Sequence, residues 1–160
     1  MIWLSQQFVL WLNRIAPVLG WNRVEDISTE ELARRLEQND PTIVLVDVRS
    51  EPERSVSHIP GSISDDEFRS REKEFENRTV VASCTIGGRS WIFAQRCLRR
   101  GMKARNYRSG ILGWCESGGE LVAADGTPTQ RVHTHNRFLS APSGYESATS
   151  QHTPASKASE

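Results

Sequence analysis

The sequence predicts a single α/β domain built on a central, mostly parallel sheet. Two short apolar runs rich in β-branched residues, Ile43 to Asp47 and Thr79 to Ser83, have the composition of buried parallel strands. Segments with helical character lie between and after these runs, so strands and helices alternate along the chain. The length of 160 residues suits one domain with extensions.

The composition excludes several classes of protein. A hydrophobic fraction of 37% suffices for one modest core but not for a membrane bundle. The 20 lysines and arginines balance 20 aspartates and glutamates, so we expect no nucleic-acid partner. The three cysteines, Cys84, Cys97 and Cys115, have neither disulfide-framework nor zinc-ligand spacing, and we expect no metal and no cofactor. A reduced, cytoplasmic protein is the expectation that follows.

Residues 1–23 are expected to form an amphipathic N-terminal helix. Polar side chains interrupt the apolar run, so we expect neither a transmembrane span nor a signal peptide. A helical wheel groups Asn13 and Arg14 with two glutamines on a polar side. The opposite, apolar face carries Trp3, Leu4, Phe8, Trp11, Leu12 and Ile15. Three interpretations stay open for residues 1–21: packing on the domain, peripheral contact with a membrane surface, or binding of a partner.

The domain itself is expected to span residues 24–126. Ser28 to Glu31 has the S-x-x-E form of a capping box and predicts a helix with Leu32, Ala33 and Leu36 facing inward. The later elements, besides the two apolar strands, are a turn at 58–61, a short strand at 62–63, a charged helical segment at 65–77, a helix at 88–100, a strand at 102–107 and a short helix at 110–116. Residues 127–160 are polar, and we expect this C-terminal tail to be mostly disordered.

The most informative stretch is CTIGGRS, Cys84 to Ser90, which lies where a strand passes into a helix. A tight loop at this point turns backbone N–H groups inward, and the helix dipole adds positive potential, which together make an anion site. Gly87 and Gly88 provide the backbone freedom that the loop needs. Arg89 adds a fixed charge at its closing edge. A cysteine in such a site is favoured as the nucleophilic thiolate.

Four motifs in order resemble a single-domain rhodanese, a sulfurtransferase. They are Asp47-Val48-Arg49, the stretch HIPGSI at 58–63, CTIGGRS at 84–90, and GILGW at 110–114. The resemblance covers about residues 24–122. It implies a rhodanese-like three-layer domain with helices on both faces of the sheet. Rhodaneses carry six residues from cysteine to arginine, as Cys84 to Arg89 does, whereas the related dual-specificity phosphatases carry one more.

The resemblance also implies a mechanism and a set of site residues. Cys84 would be the catalytic residue, taking a sulfane sulfur as a persulfide and passing it to a thiophilic acceptor. The substrate-binding residues would be Thr85, Ile86, Gly87, Gly88, Arg89 and Ser90. Asp47 and Arg49 are expected to brace the active-site face, and His58 to stabilise its turn. No metal is implied.

Other residues have structural or open interpretations. Trp114 is expected to pack the short helix on the core, and Cys97 to be a buried apolar residue. Cys115 is either a semi-buried cysteine or a resolving thiol.

The expected partners are a small-molecule sulfur donor, with a thiol or cyanide as acceptor. Thr85 and Ile86 carry no charge where many rhodaneses have a basic residue, which favours a persulfide donor, small or protein-bound, over thiosulfate. Two alternatives stay open: a catalytically weak rhodanese-like binding or regulatory module, and a phosphatase-like activity.

Overall fold

A computed structural model describes residues 2–135 and 139–148. The α-helices are α1 Ile2–Ile15, α2 Thr29–Glu37, α3 Glu51–Val56, α4 Asp65–Ser70, α5 Gly88–Arg99 and α6 Gly110–Glu116. The strands are β1 Glu25–Asp26, β2 Ile43–Asp47, β3 Ile63–Ser64, β4 Thr79–Ser83, β5 Ala104–Tyr107, β6 Leu121–Val122, β7 Pro128–Thr129, β8 Arg131–His133 and β9 Glu146–Ala148. Short 3-10 helices cover Ala16–Leu19 and Glu72–Phe75.

The central sheet has five strands in the order β1-β5-β4-β2-β3, and each of its pairs is parallel. Strand β4 is therefore the middle strand. In its register with β2, Asp47 pairs with Ser83, so both strands end at the same edge of the sheet. The carboxyl edge of such a sheet is where α/β domains place their ligand sites.

Two hydrophobic clusters lie on opposite faces of this sheet. Alternate residues of β4 divide between them: Val80 belongs to one cluster and Val81 to the other. The first cluster contains Phe68 of α4 and Trp91 of α5, and the second contains Leu32 of α2. Helices thus cover both faces, which confirms the predicted α/β class with a parallel central sheet.

Several elements differ from the sequence prediction. The charged segment at 65–77 divides into α4 and a 3-10 helix, with Phe68 and Phe75 stacked beneath it. Helix α3 was not predicted, because its sequence EPERSV has only one aliphatic residue. In α2, Ser28 accepts the backbone N–H of Glu31 as expected, but the Glu31 carboxylate binds Arg105 instead of completing the capping box.

The expectation of disorder from residue 127 onward is wrong for the described part of the tail. Strands β6 and β7 form an antiparallel pair, and β8 pairs with β9. Val132 is fully buried and Leu139 is buried with it in the second cluster. These few apolar side chains order a segment whose average composition is polar. Residues 149–160 lie outside the described residues.

The C-terminal half of α1 packs on the domain. Asn13, which the helical wheel assigned to the polar side, faces inward: its Oδ1 accepts the indole N–H of Trp91 at 2.8 Å. The same amide pairs with both backbone groups of Val24. Trp11, assigned to the apolar face, is 56% exposed. Leu12, also assigned to the apolar face, packs against the first cluster. The helix therefore docks through Leu12 together with Asn13, whose partners are polar atoms of the domain. The side chains of Trp3, Leu4 and Phe8 lie outside the described residues.

Among the described helices, none combines the length and the apolar character needed to cross a bilayer.

We predict that Asn13→Ala destabilises the protein, because it leaves the buried indole N–H of Trp91 and the backbone of Val24 without their partner. The expected loss in free energy of unfolding is about 1–2 kcal/mol, measured by chemical denaturation. Gln7→Ala, at an exposed position of the same helix, controls for helix propensity. Equal unfolding free energies for the two variants would contradict the packing of α1 described above.

Candidate active site

Cys84 directly follows β4, the middle strand, at the carboxyl edge of the sheet. Its side chain is 1% exposed. The backbone N–H of Gly87 donates a hydrogen bond to Cys84 Sγ at 3.1 Å. The sulfur thus lies at the floor of a loop that leads directly into α5, with a backbone dipole aimed at it.

Helix α6 fixes the orientation of the loop. The N–H of Ile111 donates to the carbonyl of Cys84 at 2.8 Å, and the N–H of Leu112 donates to that of Thr85 at 3.3 Å. In a planar trans peptide the N–H points opposite to the carbonyl. The N–H groups of residues 85 and 86 therefore point away from α6.

Two glycines allow this close contact. Gly87 has φ 89°, and a Cβ there would lie 2.3 Å from the carbonyl oxygen of Arg108. Gly110 has φ 62°, and its Cβ would lie 2.4 Å from the carbonyl oxygen of Thr85. Gly88 differs, because a Cβ there would meet nothing within 4 Å. The close contact therefore requires glycine at position 87, as predicted, and at position 110 instead of position 88.

The Ser90 hydroxyl lies beside the sulfur, but its single hydrogen is directed to Asn106. Ser90 Oγ lies 3.4 Å from Cys84 Sγ and 2.7 Å from Asn106 Oδ1. Asn106 in turn donates to Asp26 Oδ1 at 3.1 Å. A chain of polar contacts thus links the sulfur to the first strand of the sheet, and it fixes the rotamer of Ser90.

Arg89 is engaged by a carboxylate that the sequence analysis missed. Its two terminal nitrogens donate to Glu53, with Nη1 at 2.8 Å from Oε2 and Nη2 at 2.7 Å from Oε1. Arg89 also donates to Thr85 Oγ1 at 2.9 Å. This bidentate geometry closes the loop onto α3. The charge predicted for substrate binding therefore has a carboxylate partner within the protein.

Glu53 is 3% exposed and is held by hydrogen bonds from several elements. Its Oε2 accepts from the N–H and the hydroxyl of Ser50, and its Oε1 lies 3.3 Å from Thr85 Oγ1. Burial alone would raise the pKa of Glu53, but the hydrogen bonds from Arg89 and Ser50 outweigh it and hold the pKa well below its usual range. Glu53 is therefore a buried carboxylate at neutral pH.

Asp47 and Arg49 brace the same edge of the sheet. Arg49 is buried, and its Nη2 donates to Asp47 Oδ2 and to the carbonyl of Ser57, both at 2.7 Å. Arg54 adds an ion pair to Asp47 at 3.2 Å. The pair thus connects the end of β2 to the end of α3, an arrangement that suits the predicted bracing role.

His58 lies in a turn that is joined to β6. Its backbone exchanges both hydrogen bonds with Val122, at 2.8 and 3.0 Å. Burial and the nearby Arg54 guanidinium lower the pKa of its imidazole. Because the hydrogen bonds to Val122 are made by the backbone, the turn-stabilising role of the His58 side chain stays a prediction.

The other two cysteines are buried away from solvent. Burial raises the pKa of Cys97 to about 11 and that of Cys115 to about 12. Such thiols are poor nucleophiles at neutral pH, which argues against Cys115 as a resolving thiol. Trp114 is buried and donates its indole N–H to the carbonyl of Glu120, so it packs α6 as expected.

Two residues next to the loop escaped the sequence analysis. Glu53 stands three residues after Ser50, and this S-x-x-E spacing is the signal that could have indicated it. His135 comes from the segment expected to be disordered, and its Nδ1 lies 3.4 Å from Glu53 Oε1. Within residues 2–135 and 139–148, no group of three or more His, Cys, Asp and Glu side chains is arranged to hold a metal ion.

Comparison with known proteins identifies the same fold. Residues 28–117 match the model of the rhodanese-like domain. A sulfurtransferase from Allochromatium vinosum is 30% identical over 107 residues, which are 64% of this chain and 99% of that protein.

Solved structures agree with this assignment of the fold. A rhodanese-like domain protein from Staphylococcus aureus aligns with a TM-score of 0.50 and 26% identity, covering 57% of this chain and 91% of that one. A thiosulfate sulfurtransferase from Pseudomonas aeruginosa aligns with a TM-score of 0.59 and 24% identity, covering 77% of this chain and 23% of that one.

We predict that Glu53→Gln destabilises the fold in a pH-dependent way. The pKa of Glu53 is lower in the folded than in the unfolded state, so its pairing stabilises the fold above the ordinary glutamate pKa. That contribution is lost as the pH falls through the usual range toward the lowered pKa. The expected loss for the variant near neutral pH is about 1–3 kcal/mol of unfolding free energy, shrinking in acid.

Urea denaturation across a pH series measures this difference. Glu51→Gln, at an exposed position of the same helix, is the matched control and should stay within about 0.5 kcal/mol of the parent protein. A deficit for Glu53→Gln that is constant down to strongly acidic pH would contradict the assignment of Glu53 as a paired carboxylate.

Proposed function

The chain belongs to the family of rhodanese-like domains, and on that premise we propose that it is a sulfurtransferase whose nucleophile is Cys84. The observation that carries the proposal is the hydrogen bond from the Gly87 N–H to Cys84 Sγ at 3.1 Å, within a loop closed by Arg89 and Glu53. A backbone donor at this distance stabilises negative charge on the sulfur. Similarity to a protein named as a sulfurtransferase supports the same chemistry.

In the first half-reaction the Cys84 thiolate attacks the outer, sulfane sulfur of a donor. With thiosulfate, a bond forms between Cys84 Sγ and that sulfur while the donor's S–S bond breaks, and sulfite leaves with the bonding electron pair. With a persulfide donor, the leaving group is the corresponding thiolate. The product on the protein is a Cys84 persulfide, and its terminal sulfur carries the negative charge.

In the second half-reaction a thiophilic acceptor attacks the terminal sulfur of the persulfide. Cyanide leaves as thiocyanate, and a thiolate acceptor leaves as a new persulfide. The Cys84 thiolate is regenerated, so the cycle has no net oxidation or reduction. Loop dipoles that favour negative charge stabilise both the thiolate and the persulfide, and they need no reorganisation between the two steps.

The loop residues would have different roles in this cycle. Gly87 contributes the N–H donor, and Ser90 presents a hydroxyl at 3.4 Å from the sulfur. Thr85 and Arg89 hold the loop onto Glu53, so we assign them to maintaining its shape. Ile86 and Gly88 line the loop between these contacts. Asp47, Arg49 and His58 support the edge of the sheet beneath it.

The alternative is a catalytically weak rhodanese-like module that binds or regulates a partner. The retained cysteine with a backbone donor on its sulfur favours the enzyme, since a module that only binds needs neither feature.

We predict that the protein gains one sulfur atom on Cys84 when it is incubated with a sulfane donor. Intact-mass spectrometry after incubation with thiosulfate or with glutathione persulfide measures the gain. Cys84→Ser should show no gain and no turnover, because the nucleophile is gone. Cys97→Ser is the matched control, and it should keep both, since that cysteine lies within α5, outside the loop, and burial raises its pKa to about 11.

An absence of added sulfur on the parent protein with every donor would favour the binding module. Phosphatase turnover by the parent protein would instead contradict the sulfur chemistry.

A further inference from the structure

The described parts of the C-terminal segment, residues 127–135 and 139–148, lie outside the residues that match the family model, and residues 127–135 reach the candidate site. The match to the rhodanese-like model ends at residue 117. Strand β8 runs against α3, the helix that carries Glu53, and it is anchored by the fully buried side chain of Val132. Strand β8 also pairs with β9, which further holds β8 in place. What this segment brings to the loop therefore comes from residues outside those that match the family model.

The chain turns sharply where β8 ends. The N–H of His135 donates to Nδ1 of His133 at 3.0 Å, and His135 has φ 68°, in the left-handed region. This conformation is unfavourable for a non-glycine residue, and it persists only where surrounding contacts hold it. His133 is buried, and its burial lowers its pKa, so its Nδ1 is an acceptor for this hydrogen bond. The turn directs the ring of His135 toward α3.

The imidazole of His135 shares an oxygen with the loop arginine. Its Nδ1 lies 3.4 Å from Glu53 Oε1, and the same oxygen accepts from Arg89 Nη2 at 2.7 Å. The His135 side chain is 51% exposed, so solvent and small solutes can reach it. The charged groups that act on this turn are Glu53 of α3, Arg89 of α5, Arg49 at the end of β2, and His133 of its own segment.

A proton on His135 would change the net charge beside the cysteine loop. Glu53 and Arg89 neutralise each other, and the two residues after the cysteine, Thr85 and Ile86, carry no charge. The group of Glu53, Arg89 and neutral His135 therefore has no net charge. With His135 protonated, the same group has one net positive charge beside the loop.

We propose that His135 determines the specificity of the site for anionic sulfur donors, supplying in its protonated form the positive charge that Thr85 and Ile86 do not. The inference rests on the sulfurtransferase function proposed above. The effect is electrostatic, so it should grow with the charge of the donor. Thiosulfate is a dianion, so its rate of persulfide formation should depend on this charge more strongly than that of methanethiosulfonate. Methanethiosulfonate is a monoanion that transfers the same kind of outer sulfur and releases methanesulfinate.

The test is the second-order rate of persulfide formation on the full-length protein, followed by intact mass with each of these two donors. Histidine side chains change charge between about pH 5 and 8, so loading is measured at about pH 6 and about pH 8. His135→Gln removes the ionisable side chain, and His135→Arg places a permanent positive charge at the same position. Arg131→Gln is the control, since it removes an exposed charge from the same segment without touching Glu53. An effect of the variants on the nucleophile itself is the same for both donors, so the comparison between donors separates it from recognition of the donor.

At about pH 6 we expect thiosulfate to load the parent protein roughly threefold to tenfold faster than His135→Gln, the scale of one charge interaction at a partly solvated site. The ratio should fall toward unity at about pH 8 and be smaller for methanethiosulfonate. His135→Arg should load quickly at both pH values, and Arg131→Gln should match the parent.

A ratio that is the same at both pH values, or the same for both donors, would overturn the proposal and leave His135 with a packing role. If the parent protein forms no persulfide with either donor, the sulfurtransferase function fails, and this inference fails with it. The variant His135→Gln distinguishes a failure of this inference from a failure of the sulfurtransferase function. It keeps Cys84, so persulfide formation on this variant shows that the function holds whatever the role of the histidine.

Discussion

The arrangement of the site depends on one ion pair, between the buried carboxylate of Glu53 and the partly exposed guanidinium of Arg89. A carboxylate that is 3% exposed is stable only when hydrogen bonds replace its lost water, and here they come from separate parts of the chain. Ser50 donates from the start of α3, and Arg89 from the start of α5. His135 approaches from the C-terminal segment. The contacts that stabilise the Glu53 carboxylate therefore hold α3, α5 and the C-terminal segment together around the cysteine loop.

This pairing also changes what the loop arginine can do. A free guanidinium beside an anion site would attract any anion, but Arg89 has both terminal nitrogens on Glu53. Its main effect is then geometric, because it holds the first turn of α5 in place while the Gly87 N–H points at the sulfur. In the function proposed above, recognition of the donor would rest on backbone dipoles and on charges outside this ion pair.

The sequence predicted the parts of the fold that local patterns determine. The apolar runs of β2 and β4 indicated buried strands, and CTIGGRS indicated a loop between a strand and a helix, which the structure places between β4 and α5. The missed features depend on contacts between distant segments. Asn13 has a polar side chain on a helix, and only the indole of Trp91, 78 residues away, makes it an inward residue. Val132 and Leu139 are isolated in polar sequence, so the average composition concealed a segment that they anchor.

The packing on the back of the cysteine loop favours sulfur over phosphate as the group transferred. Gly87 is in contact with the backbone of Arg108, and Gly110 with that of Thr85, so closely that neither position has room for a Cβ. The loop is thus backed by rigid main chain, and widening it would break the hydrogen bonds that α6 donates to the carbonyls of Cys84 and Thr85. A persulfide adds a single atom to the cysteine, whereas a phosphate needs donors for three equatorial oxygens. A loop that cannot expand suits the smaller group, which is the single sulfur atom. Two features therefore point to the same chemistry: the short spacing from Cys84 to Arg89, and the absence of side chains at Gly87 and Gly110.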